Sequence, residues 1–280
     1  MPATKREDAL GQNSISPTAP AMQQGVEAWG DRELIDPHAR ADKPERVRRM
    51  FAAIAGSYDL NNRLHSFGID QAWRRRAVRL AGVKAGDHVL DMACGTGDLT
   101  ALFARTAASR VVGGDFTPEM LDIARTKQAG IGSGAAKVTY MEADAMALPF
   151  ADASFDVLSI AFGIRNVASP GVALAEFRRV LRPGGRLIVL EFDRPRNFLV
   201  RALNDFYTNQ VMPRTATLIS RDRSGAYRYL PRSVGTFMRR EEMIDGIQAA
   251  GFSDVGATPL TFGVAVCYRG IVPGSAPSRG

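Results

Sequence analysis

"VLDMACGTGDLT", residues 89–100, decides the fold. An apolar run enters a turn carrying Gly95 and Gly97, and a helix-forming run leaves it. Strand, glycine turn and helix in that order open a doubly wound α/β sheet. Glycine tolerates positive φ and lets a ligand approach the backbone. Asp115 follows Gly97 by 18 residues, at the end of the next apolar run. An acidic residue there is placed to accept from two adjacent ribose hydroxyls.

The rhythm continues on both sides. "RVVGGD" (110–115), "KVTYMEAD" (137–144), "FDVLSIAF" (155–162) and "RLIVLEF" (186–192) read as strands. Helical segments lie between them: "DLTALFARTA", "TPEMLDIARTKQA" and "SPGVALAEFRRVL". Thr117 is the expected cap of the second of these, with Pro118 at its first position, and "RPGG" is expected to end the third. Such alternation predicts a parallel sheet covered on both faces. Upstream, Val47, Met50, Phe51 and Ile54 recur at helical spacing, and "DQAWRRRAVRLAG" is a second amphipathic helix. Downstream, "REEMIDGIQAAG" reads as a helix, followed by strands "DVGATPL" and "FGVAVCYRG". This last pair is expected to place an antiparallel strand beside the parallel ones.

Residues 1–43, rich in Ala, Gln, Ser, Pro and Gly, read as a disordered extension. A single domain is expected over 44–270, with N-terminal helices at 44–83, a ligand-binding core at 84–192, an insertion at 193–240 and a C-terminal helix and strands at 241–270. Residues 271–280 read as a flexible tail. The insertion interrupts the βα rhythm. From Arg194 to Arg240 it carries ten arginines against Asp205 and Asp222, a local net of +8 against +7 for the whole chain.

Composition narrows the class. The chain is 45% hydrophobic and 23% charged over 280 residues, ordinary for a globular protein with a sizeable core. Cys94 and Cys267 lack zinc or redox spacing, so a reducing compartment is expected and no metal. No run approaches the roughly 18 apolar residues of a membrane span. A cytoplasmic protein is expected.

The turn itself selects a ligand type. D-x-A-C-G-T-G lacks the G-x-G-x-x-G of a pyrophosphate site, and Asp91 and Asp98 flank it with charge that repels phosphate. A cationic nucleoside fits better. S-adenosyl-L-methionine has a ribose, a sulfonium and an amino-acid end, and no phosphate. Asp144 and Ala145, ending the third strand, are placed to meet an adenine through a carboxylate and a backbone N–H.

At this point several stretches resemble a known family. "VLDMACGTGDLT", "GGDFTPEMLDIA", "ADAMALPFADASFDVL" and "EFRRVLRPGGRLIVLEF" resemble class I methyltransferases. "YDLNNRLHSFGIDQAWRR", "SIAFGIRNV" and "AYRYLPRSVGTFM" resemble the ubiquinone/menaquinone C-methyltransferase (UbiE type) family more narrowly. The resemblance implies a Rossmann-like seven-stranded sheet, mostly parallel with its last strand antiparallel, under an N-terminal helical lid. It implies S-adenosyl-L-methionine as cofactor and C-methylation of a polyprenyl quinol, demethylmenaquinol first and a 2-methoxy-6-polyprenyl benzoquinol second. Carried over by position, its cofactor residues fall on Thr96, Asp115, Asp144 and Ala145. They also fall on Ala161, often serine in the family, where only backbone contact survives. Asp91, Gly95 and Gly97 complete the expected cofactor set.

"AFGIRN", residues 161–166, ends an apolar strand on a fixed cation and an amide. The N/D-P-P-Y segment of amine methylation is missing there, and neither cysteine is placed as a nucleophile. A ring carbon becomes nucleophilic when a neighbouring hydroxyl, of pKa about 10, loses its proton. Arg165 is therefore expected to stabilise the quinolate oxygen, or else to pair with a lid carboxylate such as Asp59. Tyr58, Asp59 and His65 are the candidate bases, His65 having the best intrinsic pKa. Asn166, Tyr227 and Tyr229 are the candidate acceptor contacts. The insertion, mixing arginine with apolar residues, is expected to cover the acceptor and rest on an anionic membrane, peripherally on its inner face. A homo-oligomer contact is the other reading of that surface. Other readings stay open: methylation of another small or lipid acceptor, RNA binding over a vestigial cofactor site, and, weakest, a nicotinamide dehydrogenase. No nucleic-acid partner is expected, because the aromatic residues form no RNA-reading motif.

Overall fold

The computed structural model describes residues 29–30, 34–132, 137–212, 214–215 and 225–274. Two helices lead: α1 (Lys43–His65) and α2 (Ile69–Ala81). Then follow β1 (His88–Met92), α3 (Asp98–Ala104), β2 (Arg110–Asp115), α4 (Pro118–Gln128), β3 (Lys137–Glu142) and β4 (Phe155–Ala161). The chain continues through α5 (Pro170–Val180), β5 (Leu181–Phe192), α6 (Phe198–Phe206) and a π-helical turn at Tyr207–Val211. It closes with α7 (Ala226–Gly235), α8 (Arg240–Ala249), β6 (Ser253–Leu260) and β7 (Ala265–Ile271).

The strands form one seven-stranded sheet in the order β3-β2-β1-β4-β5-β7-β6. The first five are parallel, and β7 runs antiparallel to both β5 and β6. This is the Rossmann-like architecture expected from the sequence. The order reverses direction between β1 and β4, so a crevice opens beyond their carboxyl ends. The glycine turn after β1 and the GIRN segment after β4 both empty into it.

Strand period sorts the core into two layers. Val89, Val111, Val157 and Ile188 face Trp73, Ala77, Leu99 and Phe103 of α2 and α3. Leu90, Val112, Leu158 and Val189 face Leu174, Phe177, Met243 and Ile247 of α5 and α8. Alternate residues of each strand thus serve opposite faces, and both faces are buried, which is why these strands are almost wholly apolar. A third cluster joins the lid: Met50 and Ile54 of α1 pack with Tyr227 and Tyr229 of α7 and with Trp29.

Three local expectations are corrected. Thr117 stands before α4 with Pro118 at the first position, but its side chain makes no capping bond. "RPGG" is not simply a helix end. α5 stops at Val180, and the four residues form the irregular first part of β5, with Gly184 at φ 77° and a register shift opposite Phe155 and Val157. Packed structure also begins before residue 44. Trp29 is fully buried and Lys43 already belongs to α1. An indole is large enough to leave water for an apolar site even within a polar stretch. Residues 1–28, 216–224 and 275–280, parts of the expected extension, insertion and tail, lie outside the described residues.

The glycine turn is braced from β3. A Cβ on Gly113 would stand 2.6 Å from the Tyr140 ring and 3.1 Å from Cys94 Sγ, and one on Gly97 would stand 2.6 Å from Tyr140 Oη. The ring fills the space that two side chains would occupy. Gly113→Ala should therefore overpack this face and lower stability by about 1–3 kcal/mol. A melting temperature equal to that of wild type would show that the ring yields instead.

Candidate active site

Two cavities meet at the crevice, divided by Tyr58 and Phe162. The smaller, about 120 Å³, is lined by Tyr58, Gly95, Asp115, Asp144, Ala161 and Asn166 among others. The larger, about 410 Å³, is reached by Tyr58, His65, Arg74, Arg165 and Tyr207. The sequence-derived residues therefore divide into two groups, plus several that reach neither cavity.

In the smaller cavity Asp115 is held from behind. Its Oδ2 accepts from the Gly95 N–H at 2.7 Å and its Oδ1 from the Thr117 N–H at 2.8 Å. Burial pushes its carboxyl above the usual range, against the pull of these two amides. Each oxygen keeps a second lone pair, so two neighbouring hydroxyls can be received. Asp144 uses Oδ1 to accept from the Met146 N–H at 2.9 Å, a turn that leaves the carboxylate on the cavity wall. Among the described residues the lining contains two carboxylates and no lysine or arginine. That donor set fits an uncharged ribose beside a cation and disfavours phosphate.

Asp91, Ala145, Thr96 and Gly97 do not line either cavity. Asp91 is 1% exposed and sits beneath the turn, accepting from Thr100 Oγ1 at 2.6 Å and Ser159 Oγ at 2.7 Å. It ties α3 and β4 to β1. Burial raises its pKa to about 6 despite both hydroxyls. Ala145 is buried in the core. Thr96 turns toward the lid, donating to Asp59 at 2.5 Å. Asp59 also pairs with Lys127 at 2.7 Å, and Lys127 reaches Asp98 at 2.5 Å. Asp59 is thus a lid fastening, occupied by an ammonium, and is not aimed at the acceptor. Nothing in the sequence marked Lys127, one of two cations on α4 with Arg125.

In the larger cavity Arg165 is 2% exposed. Its Nη1 donates to the Phe162 carbonyl at 2.8 Å and to Glu191 Oε1 at 2.5 Å. Its carboxylate partner is therefore a neighbour on β5, not Asp59. Glu191 is 1% exposed, and burial pushes its carboxyl upward while Arg165 opposes the shift. Arg165 Nε and Glu191 Oε2 have no hydrogen-bond partner among the described residues. A second buried pair, Arg74 with Asp70 at 2.6 Å, stands nearby, its guanidinium 5.3 Å from the Phe162 ring centre. Sequence reasoning missed Glu191. A carboxylate at the end of the apolar run "LIVLEF" was the available signal.

Tyr58 lies between the cavities, its hydroxyl pKa raised by burial. His65 Nδ1 lies 2.8 Å from the Asn61 carbonyl and Nε2 lies 2.9 Å from Thr215 Oγ1. A carbonyl can only accept, so Nδ1 carries the proton and Nε2 is the basic nitrogen. Asn166 lines the smaller cavity, donating to the Phe162 carbonyl at 3.3 Å and accepting from the Tyr229 hydroxyl at 2.9 Å. Tyr227 and Tyr229 do not reach either cavity. They are buried in the lid cluster because their rings complete the core around α1, and Leu230 and Pro231 line the larger cavity instead.

A sequence profile of the ubiE/COQ5 methyltransferase family matches residues 39–272. The chain belongs to this family. A demethylmenaquinone methyltransferase of Thermus thermophilus is 50% identical over 225 residues, which are 80% of this chain and all of that protein. A ubiquinone/menaquinone biosynthesis C-methyltransferase of Teredinibacter turnerae is 42% identical, covering 82% of this chain and 92% of the relative. Among solved structures, a SAM-dependent methyltransferase of Thermotoga maritima shares the fold at TM-score 0.55 and 22% identity, covering 80% of this chain and 98% of the other.

Asp91 makes stability depend on pH. Its folded pKa is raised, so the folded state binds the extra proton, and stability falls as pH rises from the ordinary carboxylate range through about 6. Denaturant unfolding between pH 4.5 and 7 should show a decline that Asp91→Asn flattens by up to about 3 kcal/mol. An unchanged slope in the variant would assign the decline to Asp115 or Glu191, whose carboxyls are raised in the same direction.

Proposed function

We propose that this chain transfers a methyl group from S-adenosyl-L-methionine to a ring carbon of a polyprenyl quinol, with demethylmenaquinol as acceptor. Family membership and the activities for which its relatives are named support the reaction class. The observation that carries the reading is a buried arginine on the wall of the larger cavity, beside a smaller cavity of carboxylates.

When bound, the sulfonium supplies an electrophilic methyl group. Asp115 would take the ribose hydroxyls, Asp144 would meet the adenine edge, and Gly95 would give backbone access, all three lining the smaller cavity. Arg165 faces the oxygen that becomes anionic. Pairing with Glu191 tempers its charge, yet its remaining N–H groups stay available. A positive group fixed there lowers the energy of the quinolate and so raises electron density at the adjacent carbon. The bound cofactor would supply the methyl group to that carbon and be left as a neutral thioether, with one net proton, that of the ring carbon, passing to solvent and the phenolic proton being returned to the product. His65 Nε2 is the group in this cavity best suited to take the phenolic proton, and Tyr58 shields the methyl path from solvent.

The acceptor carries a long apolar tail. Phe198, Leu199, Leu203 and Phe206 of α6 are 63–72% exposed, and Phe67 of the lid is 77% exposed with its ring 5.9 Å from that of Tyr207. Asn204, Asp205 and Tyr207, interleaved with these residues, line the larger cavity. Among the described residues no helix is long and apolar enough to cross a membrane. The apolar face of α6, with Arg196 and Arg201 close to it in sequence, suits peripheral contact with an anionic bilayer, to which each cation adds about 1 kcal/mol.

Labelled S-adenosyl-L-methionine with demethylmenaquinol should yield methylated product. Arg165→Lys and Arg165→Ala should keep cofactor affinity within about threefold while losing about 100-fold or more in kcat. Asp115→Ala should weaken cofactor binding by calorimetry about tenfold or more. Product from the benzoquinol alone would reassign the acceptor, and product from neither would end the quinol reading. Phe198→Ser with Leu203→Ser should lower co-sedimentation with anionic vesicles about tenfold or more. Unchanged sedimentation would leave this face as a contact between copies.

A further inference from the structure

Trp29 lies upstream of the stretch matched by the family profile, which begins at residue 39. It is nevertheless fully buried, with its ring stacked on Tyr229 at 4.3 Å and 25°. Its carbonyl accepts from Arg228 Nη2 at 3.2 Å. Further along the same segment, the carbonyls of Leu34 and Ile35 accept from Arg232 at 2.8 and 3.1 Å. His38 Nε2 lies 2.9 Å from the Ser233 carbonyl, and the His38 ring packs on Phe237. Each of these contacts holds α7 or the residues directly after it.

Both ends of the segment lead to one loop. At the first end, Tyr229, under Trp29, donates to Asn166 Oδ1. At the other end, Lys43 is 2% exposed and its Nζ donates to the Val167 carbonyl at 2.7 Å. Asn166 and Val167 directly follow Arg165. Asn166 and Arg165 moreover donate to the same Phe162 carbonyl. A displacement of Asn166 is therefore felt at the acceptor of the Arg165 bond.

We propose that Trp29 and residues 34–43 form an intramolecular strap, with Trp29 as a positioning residue that acts through Tyr229 and Asn166 to set Arg165. Trp29 touches no reacting atom. Its contribution is to immobilise Tyr229, whose hydroxyl has one hydrogen to give and spends it on Asn166. Lys43 secures the same loop one residue later. The strap's catalytic consequence rests on the quinol-methylation reading; its effect on the loop does not.

The test therefore has two arms on the full chain. Amide hydrogen exchange reads the loop without any substrate, because the Asn166 and Val167 N–H groups are bonded to the Gly163 and Ile164 carbonyls. Trp29→Ala should raise exchange at residues 164–167 about tenfold while β1 stays as in wild type, and Trp29→Phe should return it to within about threefold. Exchange at 164–167 equal to wild type, or a rise shared by β1, would overturn the strap. In the kinetic arm, Trp29→Ala and Tyr229→Phe should each lower kcat/KM for demethylmenaquinol about tenfold. The double variant should be no worse than either, since both break one chain of contacts. Multiplying losses would overturn the positioning role. A wild-type enzyme inactive on quinols would fail the functional reading, and the exchange arm would still decide the strap.

Discussion

One carbonyl oxygen, that of Phe162, organises the wall between the two cavities. It accepts from Arg165 and from Asn166 together. To present it, the backbone at Phe162 takes φ 58°, the left-handed region that a bulky residue enters only under constraint. The constraint is visible on all sides. Phe162 is anchored by its own N–H to Leu190, its ring meets Phe192 at 4.6 Å, and Trp73 and Arg74 pack against it. A strand that ran straight on would carry Arg165 away from the crevice. The sharp turn after β4 brings a cation back under the sheet, where Glu191 of the neighbouring strand makes its burial tolerable.

The parts of this arrangement that were legible in the sequence are those set by local pattern. Short, nearly continuous apolar runs separated by helical ones announced the sheet. Gly95 and Asp115 announced the smaller cavity that both line, because glycine at a close approach and a carboxylate one strand later are dictated by backbone geometry. What stayed hidden depends on pairs distant along the chain. Asp59 read as a candidate base or as the partner of Arg165 until Lys127, 68 residues on, stood beside it. Tyr227 and Tyr229 read as pocket residues because aromatic rings near a polar motif look alike whether they face a ligand or a core. Trp29 was a lone indole in a polar stretch, and only its distant partner gives it meaning. Asp91 was grouped with the cofactor by its neighbours in sequence, whereas its strand direction turns it beneath the turn.

The two cavities differ in what they exclude. The smaller is narrow, lined by carboxylates and backed by amides. The larger is roomier, flanked by two buried arginines that are each neutralised by a carboxylate. Tyr58 and Phe162 line both cavities and form the wall they share. Keeping the ionised pairs buried also keeps water sparse where the methyl group would pass.

The lid is fastened at two places by unlike forces. On the cofactor side Lys127 bridges Asp59 of α1 and Asp98 of α3, with side chains between 14% and 34% exposed. On the acceptor side the fastening is aromatic and buried, Trp29 on Tyr229 above Met50 and Ile54. Salt screens the first and leaves the second intact or strengthens it. Cooling weakens apolar association while leaving the ion pairs in place. The same helix is therefore released from opposite edges by ionic strength and by cold, so salinity and temperature act on it as separate levers.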